Sequence, residues 1–181
     1  MSDYQDKADR IRNNWNTKRE QIQSNKDLNE SAKQRQLSEL REKYQNEMDN
    51  LRQDYRSEPV QRRDQLKKEL FSVGNKLSDT ETDKLTRQMV YRDAVARAEA
   101  AATDRLAMQQ LLSSAQITGD TLLLKAIAMV STQTSGFLDL AKEALGEQKA
   151  KKLDELLDLD DSLENPTSKE RFAEGALFIL D

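Results

Sequence analysis

The apolar positions of the N-terminal third recur every three or four residues. They form one stripe over residues 4–22 and a second over residues 28–55, separated by a short polar segment. A stripe with this period marks one face of an α-helix. Two helices joined by a short turn are most simply an antiparallel hairpin. Both stripes are only about two residues per turn wide, the width found in coiled coils, so they predict a coiled-coil-like arm.

Proline and capping residues divide the rest of the chain. Pro59 is expected to interrupt or kink the helical run, because proline lacks an N–H group and disfavours a helical residue before it. Side chains that accept hydrogen bonds from unpaired N–H groups mark the helix starts. The predicted helix starts are Asp27, Ser78, Thr103-Asp104, Asp120 and either Thr167 or Ser168.

Apolar content rises sharply beyond the first third. Residues 1–60 contain 15 apolar side chains, whereas residues 79–145 contain 32, so only the second region can close a core of its own. Glycines at three positions cut this region into helices of about ten to fifteen residues, as in stacked helix pairs. These glycines are Gly119, Gly136 and Gly146.

We therefore predict an all-α protein whose body resembles a short α-solenoid. Alternation with period two, the mark of a strand, is nearly absent. The predicted organisation is a hairpin arm over 1–57, a connector helix over 58–78, a helical body over 79–158, and an acidic spacer with an amphipathic helix over 159–181.

The composition excludes several classes of chemistry. The 181 residues include no His and no Cys, which removes imidazole bases, thiolate nucleophiles, disulfides and most transition-metal sites. Five glycines without a phosphate-loop motif argue against nucleotide binding. Residues 158–164 resemble the start of a calcium loop, but Leu163 and Lys169 stand where an EF-hand needs Gly and Glu. We expect no cofactor, metal or enzymatic activity, with paired carboxylates as the one catalytic alternative left open.

Charge is distributed unevenly along the chain. Residues 1–78 carry a net +3 and residues 79–181 a net −7, which together give the overall −4. The basic-leaning residues 1–78 suggest one alternative function, a cytosolic helical binding or adaptor module that regulates a partner or holds nucleic acid. The basic doublets Arg62-Arg63 and Lys67-Lys68 lie in this half. Acidic residues interleave with both doublets and weaken the field that phosphates require, so nucleic acid is the less favoured partner.

Two apolar sets are predicted to contact partners. The arm's stripe is too narrow to hold about 55 residues rigid, so a homo-oligomer or a stable complex with a larger protein is expected. Its partner-facing residues are predicted to be Leu40, Tyr44, Met48 and Leu51. The second set lies in the C-terminal helix and consists of Phe172, Leu177, Phe178, Ile179 and Leu180.

Two roles stay open for the C-terminal set. It either folds back as core or serves as a docking peptide for a partner. Residues 154–164 hold six carboxylates and no cation, and the self-repulsion of such a run favours an extended tether and hence the docking role. A membrane anchor is disfavoured because the segment lacks a basic polar face.

No apolar stretch reaches the ~20 residues that a membrane-spanning helix needs, and the N-terminus has no secretion signal. We expect a protein in the cytoplasm of the producing cell, with incorporation in a virion left open.

The stretches DLNESAKQRQLSELREKYQNEMDNLR and YRDAVARAEAAATDRLAMQQLLSSAQITGDTLLLKAIAM combine a charged helical hairpin with an Ala- and Leu-rich helical body. In this they resemble the helical structural and assembly proteins of tailed bacteriophages, such as scaffolding proteins and minor virion proteins. The resemblance implies a non-enzymatic protein that contacts itself and a capsid, portal or connector component through its helices. It transfers no individual functional residue.

Overall fold

The computed structural model describes residues 2–74 and 80–180, and all regular structure in these ranges is α-helical. This confirms the all-α prediction. The helices are α1 (Ser2–Ser24), α2 (Glu30–Phe71), α3 (Glu81–Ala101), α4 (Arg105–Thr118), α5 (Thr121–Gln133), α6 (Leu138–Leu145), α7 (Glu147–Glu164) and α8 (Ser168–Leu177).

The chain divides into two compact units. Unit one holds the residues up to Gln61 together with those from Asp161 onward, and unit two holds Arg62–Asp160. The C-terminal helix α8 therefore belongs to the same unit as α1, although the whole of unit two separates them along the chain. Local sequence patterns carry no signal for such a grouping.

In unit one, aromatic contacts align α1 with the first half of α2. Tyr4 packs edge-on against Tyr55 with ring centroids 5.2 Å apart, and Trp15 packs against Tyr44 at 6.2 Å. Residue numbers rise along α1 as they fall along α2, so the two helices are antiparallel. The Tyr4 hydroxyl also hydrogen-bonds Glu58, which raises the pKa of Tyr4 to about 12.

Helix α2 differs from the prediction at two points. It begins after Asn29, whose Oδ1 accepts a hydrogen bond from the N–H of Ala32 at 2.8 Å, so Asn29 caps it instead of Asp27. It also continues through Pro59 to Phe71. The missing N–H of a proline removes a single helical hydrogen bond, and the forty-two-residue helix tolerates that loss.

Unit two is built around α5. Leu123, Ala126, Ile127 and Val130 of this helix are buried, and α3, α4 and α6 all contact it. The same core receives Met108 and other small or apolar side chains from the surrounding helices. A second cluster joins α2, α6 and α7 and consists of Leu66, Leu70, Ala141, Leu153 and Leu156.

Short-range signals set the helix ends. Asp120 accepts the N–H of Leu123 at 3.0 Å, and Asp104 and Thr167 cap α4 and α8 as the sequence indicated. Gly119 ends α4 with φ 68°, a left-handed conformation that residues with a Cβ rarely adopt. Thr80 caps α3. The predicted cap at Ser78 lies outside the described residues.

Candidate interaction surface

The arm side chains that we expected to face a partner are buried within unit one. Tyr44, Met48 and Leu51 are 9% exposed or less, and Leu40 is half-buried. They pack in one cluster with residues of α1 and of the C-terminal segment, which comprises residues 172–180. This placement corrects the expectation of an outward-facing stripe, because the chain's own distant C-terminus completes the burial that the hairpin alone does not provide.

The C-terminal apolar set divides into buried and exposed members. Phe178 is 5% exposed and its ring lies 5.4 Å from that of Tyr55, while Leu180 is buried in the same cluster. Phe172, in contrast, is 79% exposed, and Ile179 is 53% exposed. Leu177 packs against the cluster and is half-buried. In this structure Phe178 and Leu180 therefore form part of the core of unit one.

Arginines of the arm hold this segment in place. The guanidinium of Arg12 donates hydrogen bonds to the backbone carbonyls of Ala176, Leu177 and Ile179. The last carbonyls of a helix have no partner within the helix, so Arg12 supplies the missing donors. The favourable position of a cation at a helix C-terminus adds to this contact.

Glu174 forms the second polar attachment of α8. Its Oε1 accepts from Arg52 at 3.1 Å and from Arg56 at 2.6 Å. Burial alone would raise the pKa of Glu174, but the hydrogen bonds from Arg56 and Arg52 outweigh it and hold that pKa below its ordinary value. More than one hundred residues separate these partners along the chain, so sequence spacing gave no indication of the contact.

Cations from both basic doublets of α2 pair with α7 inside unit two. Arg62 contacts both carboxylate oxygens of Glu155, at 2.7 and 3.0 Å, and Lys67 lies 3.0 Å from Asp160. Arg62 thereby holds the pKa of Glu155 below its ordinary value. The acidic residues 154–164 are helical here, which corrects the expectation of an extended tether. Their repulsion is relieved by cations that lie about ninety residues earlier in the chain.

Helix α3 has apolar residues on two opposite sides. Its inner stripe, Ala94, Ala98 and Ala101, is buried in the core. Its outer stripe consists of Leu85, Met89, Ala96 and Ala100, which share the opposite side of the helix and are all exposed, with the exposed Arg92 between Met89 and Ala96. Met89 is 69% exposed. Core packing explains the inner stripe and leaves the outer one unexplained.

Helix α4 also has a buried stripe and an exposed stripe on opposite sides. Its inner stripe, Met108, Leu112 and Ala115, is buried. Its outer stripe consists of Leu106, Gln110, Ser113 and Ile117, all exposed. Leu106 is 62% exposed and Ile117 is 86% exposed. The residues from Leu106 to Gly119 include no charged side chain, although 34% of the whole chain is charged.

The exposed outer face of α4 carries no charge, which is unusual on so charged a protein. Charged residues are depleted at the centres of protein interfaces, and contiguous exposed apolar groups often mark binding surfaces. We therefore identify the outer stripes of α3 and α4 as the candidate interaction surface. The signal in the sequence for the α4 part of this surface is the uncharged stretch from residue 106 to 119. From the sequence alone, this stretch shows only that it is too short to span a membrane.

No known family matches the sequence, and neither a curated protein nor a solved structure is significantly similar to it. Within residues 2–74 and 80–180, no cluster of three or more acidic side chains is placed to hold a metal ion. None of the described helices combines the length and the apolar character that crossing a bilayer requires.

The two phenylalanines of the C-terminal segment provide a matched test of its packing. Phe178→Ala should lower the free energy of unfolding by about 3 kcal/mol, because it leaves a cavity beside Tyr55. Phe172→Ala, which removes the same atoms from an exposed site, should change stability by less than ~0.5 kcal/mol. Urea unfolding followed by circular dichroism measures both. Equal stabilities of the two variants would show that the segment is not part of the core.

The pairing of Glu155 with Arg62 should appear in the pH dependence of stability. A carboxylate with a lowered pKa in the folded protein stabilises it above the unfolded value, here 4.5, and loses this effect as pH falls through the folded pKa. The melting temperature of the wild type should therefore exceed that of Glu155→Gln at pH 7, and the difference should shrink as pH falls below 4.5 and through the folded pKa. A difference in melting temperature that stays constant across this pH range would contradict the pairing. Glu99→Gln, at an exposed position of α3, is the control.

Proposed function

We propose that this protein is a non-enzymatic structural or assembly protein of a tailed-phage particle. It acts through helix-mediated contacts with itself and with a larger shell, portal or connector component. The observation that carries the proposal is the pair of outer stripes on α3 and α4, which expose apolar side chains after the core of unit two is complete.

The arrangement of the arm is consistent with this role. Its aromatic residues are engaged in internal packing, as are Phe178 and Leu180, while Phe172 and Ile179 stay exposed. The exposed aliphatic residues of the two outer stripes lie on unit two. One member of each basic doublet of α2, Arg62 and Lys67, is paired with Glu155 or Asp160, which reduces the attraction of the doublets for phosphates and favours a protein partner over nucleic acid. The resemblance of the chain to phage structural proteins suggests that this partner is a capsid, portal or connector component.

The proposal is tested on particles purified from infected bacteria, both immature shells and mature virions. Mass spectrometry should detect the chain in at least one particle form. The double variant Leu85→Asp/Met89→Asp should reduce its incorporation at least about tenfold, because buried unpaired carboxylates are costly at an interface.

The control Thr86→Asp/Gln88→Asp adds the same charge at exposed polar positions of the same helix and should be incorporated normally. Absence of the chain from both particle forms would contradict the proposed function. Equal incorporation of the test and control variants would contradict the role of the outer stripe of α3.

A further inference from the structure

We propose that the outer stripe of α4 binds the same stripe of a second copy of this chain, with the two helices antiparallel. The pairing deepens the proposed assembly function and rests on it for its biological role. Its structural basis is the spacing, exposure and chemistry of four side chains.

The four residues of the stripe have a symmetric spacing. Leu106, Gln110, Ser113 and Ile117 are separated by four, three and four positions. This is the spacing of a coiled-coil seam, and it keeps the four side chains on one face of the helix. It is also the same when read from either end, which allows the stripe to face an antiparallel copy of itself in register.

The chemistry of the stripe follows the same symmetry. In an antiparallel pair, Leu106 lies opposite Ile117 of the second copy, and Gln110 lies opposite Ser113 of the second copy. Aliphatic groups therefore meet at both ends of the seam, and an amide meets a hydroxyl at each of the two central positions. A two-fold interface of this kind presents the same patch from both subunits, as homodimers require.

The surface relief supports a close approach. A shallow depression on α4 is lined by Gln109, Gln110, Ser113, Ser114, Ile117 and Thr118. The small serines leave room beside Ile117 for Leu106 of the second copy. Polar side chains in the seam would fix the register of the pair, as a single buried asparagine does in coiled coils.

The charge distribution permits this contact between two copies of the chain. Each chain carries a net −4, so two copies repel each other wherever their charged faces meet. The outer stripe of α4 has no charge, so this contact avoids a direct clash of like charges. The neighbouring Arg105 is held by the backbone carbonyl of Gly136 and by the carboxylate of Asp139, which offsets its charge.

The size of the seam predicts a weak dimer. A helix of 14 residues is about 21 Å long, and one helix pair of this length buries less than the ~800 Å² per partner of a standard interface. The dimer should therefore be concentration-dependent. A strong stable complex would need further contacts, which a larger assembly would supply.

The test uses the full chain and measures its mass by sedimentation equilibrium over a range of concentrations. The wild type should shift from 20.8 kDa towards twice that mass as concentration rises. Leu106→Glu and Ile117→Lys should each raise the dissociation constant at least about tenfold, because each places an unpaired charge opposite an aliphatic residue. Circular dichroism should show unchanged helix content, since both sites are exposed.

Mixing the Leu106→Glu and Ile117→Lys variants tests the antiparallel register. In a mixed dimer, the carboxylate introduced by the first substitution lies opposite the ammonium group introduced by the second. The other end of the seam retains the wild-type contact, so association should return. A parallel pair would bring no opposite charges together. The control variants Thr86→Glu and Gln88→Lys on α3 should dimerise as the wild type does, alone and mixed.

A wild type that remains at 20.8 kDa at every concentration would overturn the pairing, as would variants that dimerise normally or fail to rescue each other. These outcomes are separate from those of the particle experiment. A chain that dimerises through α4 but never enters particles would support the pairing and contradict the proposed function. A chain that is monomeric in solution but present in particles would contradict the pairing and support the proposed function.

Discussion

The burial of α5 is the constraint on which the rest of unit two depends. This helix places apolar side chains around much of its circumference, so it must be enclosed by several neighbours at once. Helices α3, α4 and α6 provide that enclosure, and α3 and α4 each use a stripe of small or aliphatic residues to do so. Once α5 is covered, the apolar residues on the opposite sides of α3 and α4 have no role in the core. The candidate interaction surface follows from this geometry.

Charged groups provide a second layer of organisation. The cations of α2 meet the carboxylates of α7 in unit two, and Arg12, Arg52 and Arg56 hold the C-terminal segment in unit one. Surface ion pairs contribute little individually, so their main effect here is to select which segments pack together. The exposed outer face of α4, in contrast, has no charged side chain and takes no part in these ion pairs.

The sequence was informative where structure depends on nearby residues. The caps at Asp120 and Thr167 and the left-handed end at Gly119 were recognisable because each involves residues within a few positions. The inward placement of Met48 was not, since its burial requires Phe178 and Leu180 from the far end of the chain. The candidate site illustrates the same limit, because Leu106 and Ile117 are as apolar as the buried Leu112, and periodicity alone cannot tell which of two stripes on one helix faces the core. That choice is made by the position of α5.

The central claim is that α3 and α4 each have one stripe in the core and another available to partners. Peroxide oxidation followed methionine by methionine in a mass spectrometer tests this most directly, because thioether oxidation follows exposure. In the dilute chain, Met89 should oxidise at least about tenfold faster than the buried Met108, and Met89 should become protected when the chain enters an assembly. Equal oxidation rates for Met89 and Met108 in the dilute chain would contradict the account.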